Sequence, residues 1–359
     1  MNQTVAIRSP TLLDLGTGRL TALCRALDFD SVQTRAATGV FRRLAGTWGA
    51  GSTDEPPRWP SDVTDDHTPF EFSVAIDGAA SEVRFLIEVQ GVVPSMDANW
   101  EAARSMTFHL AEEFGADIER LSAIESLFEP TARCPRFGMW HAVCVRPGSA
   151  PHFKIYLNPQ ARGKAEAWSV VADAMTRLGF RAALSHLPLA DEKTEPCYFS
   201  LDLSARAQAR IKVYFAHHDA SSAQVEEAIS QARGYAAGRA SDFCTQMAGF
   251  DGPFTRRPVL TCQSFVEGSA TPSSATVHFP VRSYVHDDRV VEERVLAYIH
   301  RGGASTYGRA LKAFARRPLA ERGGMQTYVS LRVEGQRLTV YLAPEAYTAA
   351  STRECLGLG

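Results

Sequence analysis

Basic residues and tyrosines recur two positions apart in several strand-like stretches of this sequence. Lys154 and Tyr156 stand in HFKIYLNP (from His152), and Arg210, Lys212 and Tyr214 in RIKVYFAH (from Arg210). Tyr328, Ser330 and Arg332 repeat the spacing in QTYVSLRVEG, Tyr341 follows in LTVYLAP, and Thr276 and His278 hold the matching place in ATVHFPV. VRFLIEVQ adds Arg84, and FEFSVAID adds the carboxylate Glu71. Residues i and i+2 of a strand share a face, so each set points one way. The residues between them, such as Phe153, Ile155 and Leu157, or Ile211, Val213 and Phe215, are apolar and suit packing against helices. The charged face is therefore expected to point inward, the reverse of an ordinary soluble strand.

Buried cations need compensating charge. Glu71 is the one acid expected on an inward face, so five or so cations call for an anion supplied as a ligand. A diphosphate suits arginine forks and lysine point charges. Tyrosine hydroxyls can donate to phosphate oxygens, and their ring faces stabilise a carbocation. Together these features point to heterolysis of an allylic diphosphate in a dry chamber.

The elements that must position these residues are five hairpins. FEFSVAID pairs with VRFLIEVQ across a GAA turn, and GMWHAVCV with HFKIYLNP across RPGSAP. CYFSLDLS pairs with RIKVYFAH, LTCQSFVEG with ATVHFPV, and QTYVSLRVEG with LTVYLAP across EGQR. Helical spacing of apolar residues predicts helices over 100–114, 165–178, 223–247 and 290–314, and a mainly helical stretch over 12–44. Gly, Pro and Asp over 46–66 predict a loop. Ten antiparallel strands form a sheet wide enough to curl, and closure removes both edges. The expectation is an α+β fold: a closed ten-stranded antiparallel β-barrel surrounded by helices, with a lumen wide enough for ligands. One domain is expected over 1–359, with a helical segment and loop over 1–69, hairpins and helices over 70–347, and a tail over 348–359.

The 359 residues are 45% hydrophobic and 22% charged, as in a globular protein, and the net charge of −2 argues against a nucleic-acid partner. No apolar run suits a bilayer span, and residues 1–10 lack the apolar core of a signal peptide. Seven scattered cysteines without CxxC spacing fit free thiols in a reducing cytosol, so a cytoplasmic protein is expected.

The chain resembles the bacterial branch of the aromatic prenyltransferases of the dimethylallyltryptophan synthase type. The likeness covers nearly the whole chain. It is carried by TPFEFSVA around Glu71, VRF at Arg84, KIYLNP at Lys154, RIKVYF at Arg210, VHFPVRSY at His278, and YVSLR with VYLAP. The resemblance implies a barrel of five αββα repeats, the prenyltransferase barrel, working on an indole acceptor such as tryptophan or a tryptophan-derived small molecule. It implies that Arg84, Lys154, Arg210, Lys212 and Arg332 clamp the diphosphate, and that Tyr156, Tyr214 and Tyr328, with His278 and Tyr341, shield the carbocation. Glu71 is implied to accept the indole N–H. His141 falls near the place of a lysine proposed as general base in relatives, and histidine has a pKa suited to that task. No cofactor and no magnesium are implied, with dimethylallyl diphosphate as co-substrate.

The sequence departs from the family at Thr276 and His278, where many relatives have a longer polar residue and a tyrosine. CYFSLDL also lacks the basic residue that helps hold the substrate carboxylate in fungal tryptophan enzymes. GTWGAGST (from Gly46) lacks the lysine of a phosphate loop. Asp287, Asp288, Glu292 and Glu293 sit where acids cap a helix start. A barrel that only captures an anionic isoprenoid or metabolite is the rival reading, and it leaves Glu71 unused.

Overall fold

The computed structural model describes residues 9–77, 80–131, 136–189, 191–299, 301–335 and 337–347. The tail over 348–359, Cys134, Cys355 and parts of the GAA and EGQR turns lie outside the described residues. Ten strands form a closed antiparallel barrel in the order β1-β10-β9-β8-β7-β6-β5-β4-β3-β2. They are β1 (Phe70–Asp77), β2 (Ala80–Ile87), β3 (Met139–Val145), β4 (His152–Leu157), β5 (Thr194–Asp202), β6 (Ile211–His217), β7 (Val259–Phe265), β8 (Ser274–Phe279), β9 (Gln326–Arg332) and β10 (Arg337–Leu342). The five expected hairpins are all present, each strand pairing with its neighbours in sequence, and β1 closes on β10 with Ser73 opposite Tyr341.

Helices precede and separate the hairpins: α1 (Leu12–Ala26), α2 (Ser31–Ala45), α3 (Met96–Phe114), α4 (Glu119–Ile124), α5 (Ala167–Arg177), α6 (Ser222–Ala228), α7 (Arg239–Ala248), α8 (Asp288–Tyr298) and α9 (Arg301–Phe314). The single helix expected over 223–247 is two, because the chain between them turns through Gly234 and Gly238 at φ 76° and 83°. These values suit glycine alone among common residues. The helix expected over 290–314 also divides, where Ile299 turns extended (φ −71°, ψ 131°). Asp287 caps α8 by accepting from Val290 N, as its position implied, and buried Asp288 accepts from the backbone N–H groups of Met325 and Gln326.

The core is the shell between barrel and helices. Phe41 of α2 packs edge-on against Phe70 and Phe85, with ring centroids 5.2 and 5.3 Å apart. A Cβ on Gly16 of α1 would overlap the Phe41 ring, so glycine lets the two helices close over that hairpin. Trp168 of α5 stacks on Phe215 of β6 at 5.2 Å. Each fully buried aromatic contributes about 1.5–3 kcal/mol. Because one face of every strand is committed to this shell, the alternate residues have nowhere to point but the lumen. No helix among the described residues is long and apolar enough to cross a membrane.

Candidate active site

The lumen opens at one end into a cavity of about 1150 Å³. The strand registers bring the basic residues together at this mouth. Lys154 lies opposite Asp202 across β4 and β5, Lys212 opposite Ser200 and Ser264, and Arg332 opposite Thr276 and Arg337. Arg84, Lys154, Arg210, Lys212 and Arg332 all line the cavity, as expected.

The charge balance differs from the expectation. Glu71 is not the only inward acid: Glu82 and Asp202 also face the lumen and are buried. Glu82 pairs with Arg84 and Arg146, and with Arg337 at 3.3 Å. Asp202 accepts from Arg210 Nε at 2.8 Å and stands 3.6 Å from Lys154 and 3.5 Å from His152. Arg332 reaches Glu334 at 2.7 Å. Burial alone would raise both acids; Arg84, Arg337 and Lys154 around Glu82, and Lys154, His152 and Arg210 around Asp202, override it and hold both well below the carboxylate range. Nine arginines and lysines still line the cavity against four carboxylates. The excess of positive charge survives the correction, and the two acids fix the arginine forks in place.

Lys212 differs from its neighbours. Among the described residues no carboxylate lies within ion-pair distance of it, whereas Arg84, Lys154, Arg210 and Arg332 each have one. Burial, then Arg210 and Lys154, lower its pKa to about 7.

Below the cations lies an aromatic wall. Tyr214 stands 5.7 Å from Tyr156, 5.8 Å from Tyr198 and 5.5 Å from His278, by ring centroids. Tyr341 continues the wall, 5.8 Å from His278 and 6.3 Å from Tyr328. All five expected members are present, and they are tied together: the Tyr156 and Tyr214 hydroxyls lie 3.3 Å apart, and the Tyr341 hydroxyl lies 3.2 Å from His278 Nδ1. Burial, then Lys212 and Arg84, push the His278 pKa down to about 3, so its ring is neutral. Tyr198, Trp140 and Phe137 extend the wall, with Trp140 5.6 Å from Tyr198 and stacked on Phe137 at 3.9 Å. Sequence reasoning missed all three. For two of them the signal was available: Trp140 is opposite Tyr156 and Tyr198 opposite Tyr214, so they share the inward parity of the tyrosines, whereas Phe137 precedes β3 and has no such parity.

Glu71 lies deeper, buried on β1 opposite Leu86 and bonded to the Thr327 hydroxyl, which donates to Oε1 at 2.5 Å. Burial raises its pKa to about 8 against the Thr327 hydrogen bond. A desolvated carboxylate beneath an aromatic wall is an acceptor for one N–H donor arriving from the lumen.

His141 is not in this chamber. Trp140 and Ala142 face inward, so His141 between them faces outward, where its Nε2 lies 2.8 Å from the Thr107 hydroxyl of α3. Burial lowers its pKa to about 4. The expectation that it is the base is corrected: a strand reverses side with every residue, and His141 is on the wrong parity. His141→Leu is therefore expected to keep kcat within about threefold while lowering stability by about 1–3 kcal/mol through the lost buried hydrogen bond. A folded variant with kcat down by orders of magnitude would return His141 to the chemistry.

These features agree with comparisons to known proteins. A family profile described as tryptophan dimethylallyltransferase matches residues 43–232. The structure of 6-dimethylallyltryptophan synthase from Micromonospora olivasterospora, in complex with DMASPP and Trp, superposes with a TM-score of 0.89 at 34% identity, covering 94% of this chain and 99% of that one. Prenyltransferase PriB, in ternary complex with L-tryptophan and dimethylallyl thiolodiphosphate, gives 0.88 at 32% identity over 94% of this chain and 97% of its own. The 5-dimethylallyl tryptophan synthase from Streptomyces coelicolor gives 0.89 at 28% identity over 95% and 97%. With a cationic mouth above an aromatic wall and a buried carboxylate, and with this likeness along nearly its whole length, the protein belongs to the tryptophan dimethylallyltransferase family.

Proposed function

We propose that the protein transfers a dimethylallyl group from its diphosphate to the indole ring of tryptophan or a tryptophan-derived small molecule, with no metal ion required. The observation that carries the reading is the vertical order of the lumen: excess cations, then π faces, then one desolvated carboxylate. The donor's diphosphate binds Arg84, Lys154, Arg210, Lys212 and Arg332. As the allylic C–O bond breaks, the electron pair leaves with the diphosphate, and these cations neutralise the charge it gains. That is the task a metal ion performs elsewhere. The allyl cation is left against Tyr156, Tyr214, Tyr328, Tyr341 and neutral His278, which offer π faces and exclude water. The indole ring attacks it, Glu71 accepts the indole N–H and stabilises the positive charge spreading into the ring, and the proton on the attacked ring carbon passes to an oxygen of the released diphosphate, which restores aromaticity. The relatives solved with tryptophan and a thiolo analogue of the donor support this choice of substrates. A barrel that only held an anionic isoprenoid would have no use for a buried carboxylate at this depth.

Incubation with dimethylallyl diphosphate and L-tryptophan should release diphosphate and prenylated product in equal amounts, read by mass spectrometry and phosphate assay. Turnover should be unchanged in excess EDTA. Diphosphate release without a prenylated indole would sink the reading; loss of turnover in EDTA, restored by magnesium, would sink only its metal-free form.

A further inference from the structure

Strand β9 breaks the two-residue alternation at one point. Val329 pairs with Val340 of β10, but Gln326 pairs with Leu342, so Thr327 and Tyr328 together oppose Tyr341. This is a β-bulge, in which one extra residue re-aims a side chain. Ser330 lines the cavity and the Tyr328 ring stands against Tyr341 of the wall, so strict alternation would turn Thr327 outward, toward the helices. The extra residue instead lets Thr327 face the lumen beside Tyr328, where its hydroxyl donates to Glu71 Oε1 at 2.5 Å.

The bulge is fastened from outside the barrel. Gln326 is fully buried. Its backbone N–H donates to Asp288 Oδ1 at 2.8 Å, its side-chain amide donates to the Asp288 carbonyl at 2.8 Å, and its Oε1 accepts from the Tyr307 hydroxyl at 2.5 Å. Asp288 belongs to α8 and Tyr307 to α9, so two helices hold the residue that precedes Thr327. A slip of β9 that returned Thr327 to the outer face would break these buried bonds, each costly to leave unmade.

We propose that Thr327 is a positioning residue for the reaction: its hydroxyl fixes the Glu71 carboxylate in the orientation that meets the indole N–H and favours its charged form. The role rests on the function proposed above. With Oε1 bonded to Thr327, Oε2 has no hydrogen-bond partner among the described residues and is open to the indole. Burial raises the Glu71 pKa to about 8, and the Thr327 hydrogen bond is the largest influence against burial. The charged groups around Glu71 oppose one another, Asp65 raising its pKa and Arg257 lowering it, and the phenols of Tyr328 and Tyr341 face it from β9 and β10. None of these supplies what the hydroxyl does, a short bond of fixed direction.

The test compares kcat/KM for L-tryptophan in wild-type enzyme, Thr327→Val and Thr327→Ser from pH 6.5 to 10, with dimethylallyl diphosphate saturating. The ratio of wild type to variant cancels the titration of tryptophan itself. Thr327→Val should be about 10–100-fold slower at pH 7, because losing a hydrogen bond to a charged group moves the Glu71 ionisation up by about one to two pH units. The gap should narrow as pH rises toward 10. Thr327→Ser keeps the hydroxyl and should stay within about threefold of wild type throughout. In a Glu71→Gln background, Thr327→Val should cost no more than about a further twofold, because the two residues act as a pair. Unchanged donor affinity reports an intact barrel in each variant. No loss in Thr327→Val, a loss of the same size at every pH, a serine variant as slow as the valine one, or a full further loss in the Glu71→Gln background would each overturn the role. Wild-type enzyme that prenylates no indole would overturn the function and this role with it, so the wild-type arm tells the two failures apart.

Discussion

Lys212→Met should lower kcat/KM for dimethylallyl diphosphate by about 10²–10³-fold, the size of effect seen when one donor to a developing anion is removed. It should do so without lowering the melting temperature. Lys212 has no carboxylate partner among the described residues and sits among like charges, and removing such a cation relieves the folded state. The substitution therefore separates function from stability. A pH signature accompanies it. In the free enzyme Lys212 titrates near 7 because of burial, then Arg210 and Lys154. A diphosphate beside it must raise that pKa, so donor binding takes up a proton. The contribution to affinity is complete below pH 7 and declines as pH rises from 7 toward the higher pKa of the complex. Donor affinity measured from pH 6 to 9 should show this decline in the wild-type enzyme and not in the variant. An unchanged kcat/KM in Lys212→Met would remove Lys212 from the clamp.

Glu71→Gln should lower kcat by about 10²-fold while donor affinity stays within twofold. The amide oxygen of glutamine still accepts an N–H hydrogen bond, so the loss reads the carboxylate's charge and not its shape. Because burial lifts the Glu71 pKa to about 8, the carboxylate is mostly protonated at pH 7 and gains its charge as pH rises through 8. Wild-type kcat/KM for the indole acceptor, which reports ionisations of the acceptor-free enzyme, should rise over that interval, and the variant should lack the rise. Full activity in Glu71→Gln would mean that the charge beneath the indole is not needed. Donor affinity reports on the mouth and kcat on the floor, so the two substitutions test the two ends of one chamber separately.

Much of this arrangement was legible in the sequence, because the two-residue period of a strand fixes side as soon as one residue is placed. Lys154 with Tyr156 and Lys212 with Tyr214 were on the inner face for that reason, and the apolar residues between them could only be the outer shell. Parity also explains what went wrong. The chemistry of His141 suits a base, but one step along the strand puts it against α3 and leaves Ala142 on the cavity wall and Trp140 against Tyr198. Glu82 and Asp202 lie near hairpin turns, where acids usually meet solvent; only the closed barrel, which brings Arg337 beside Glu82 and Lys154 beside Asp202, makes them interior. The ion pair of Arg257 with Asp65, at 2.7 Å, joins segments 192 positions apart, and nothing local in either segment signals it.

The central claim is spatial: donor phosphates at the mouth, acceptor nitrogen at the floor, and the carbocation between them. A crystal structure of the protein with dimethylallyl thiolodiphosphate and L-tryptophan tests it most directly. The account predicts phosphate oxygens within hydrogen-bonding distance of Lys154 and Lys212, and the indole nitrogen on the Glu71 carboxylate. Thiolodiphosphate bound outside the barrel, or an indole nitrogen turned away from Glu71, would contradict it.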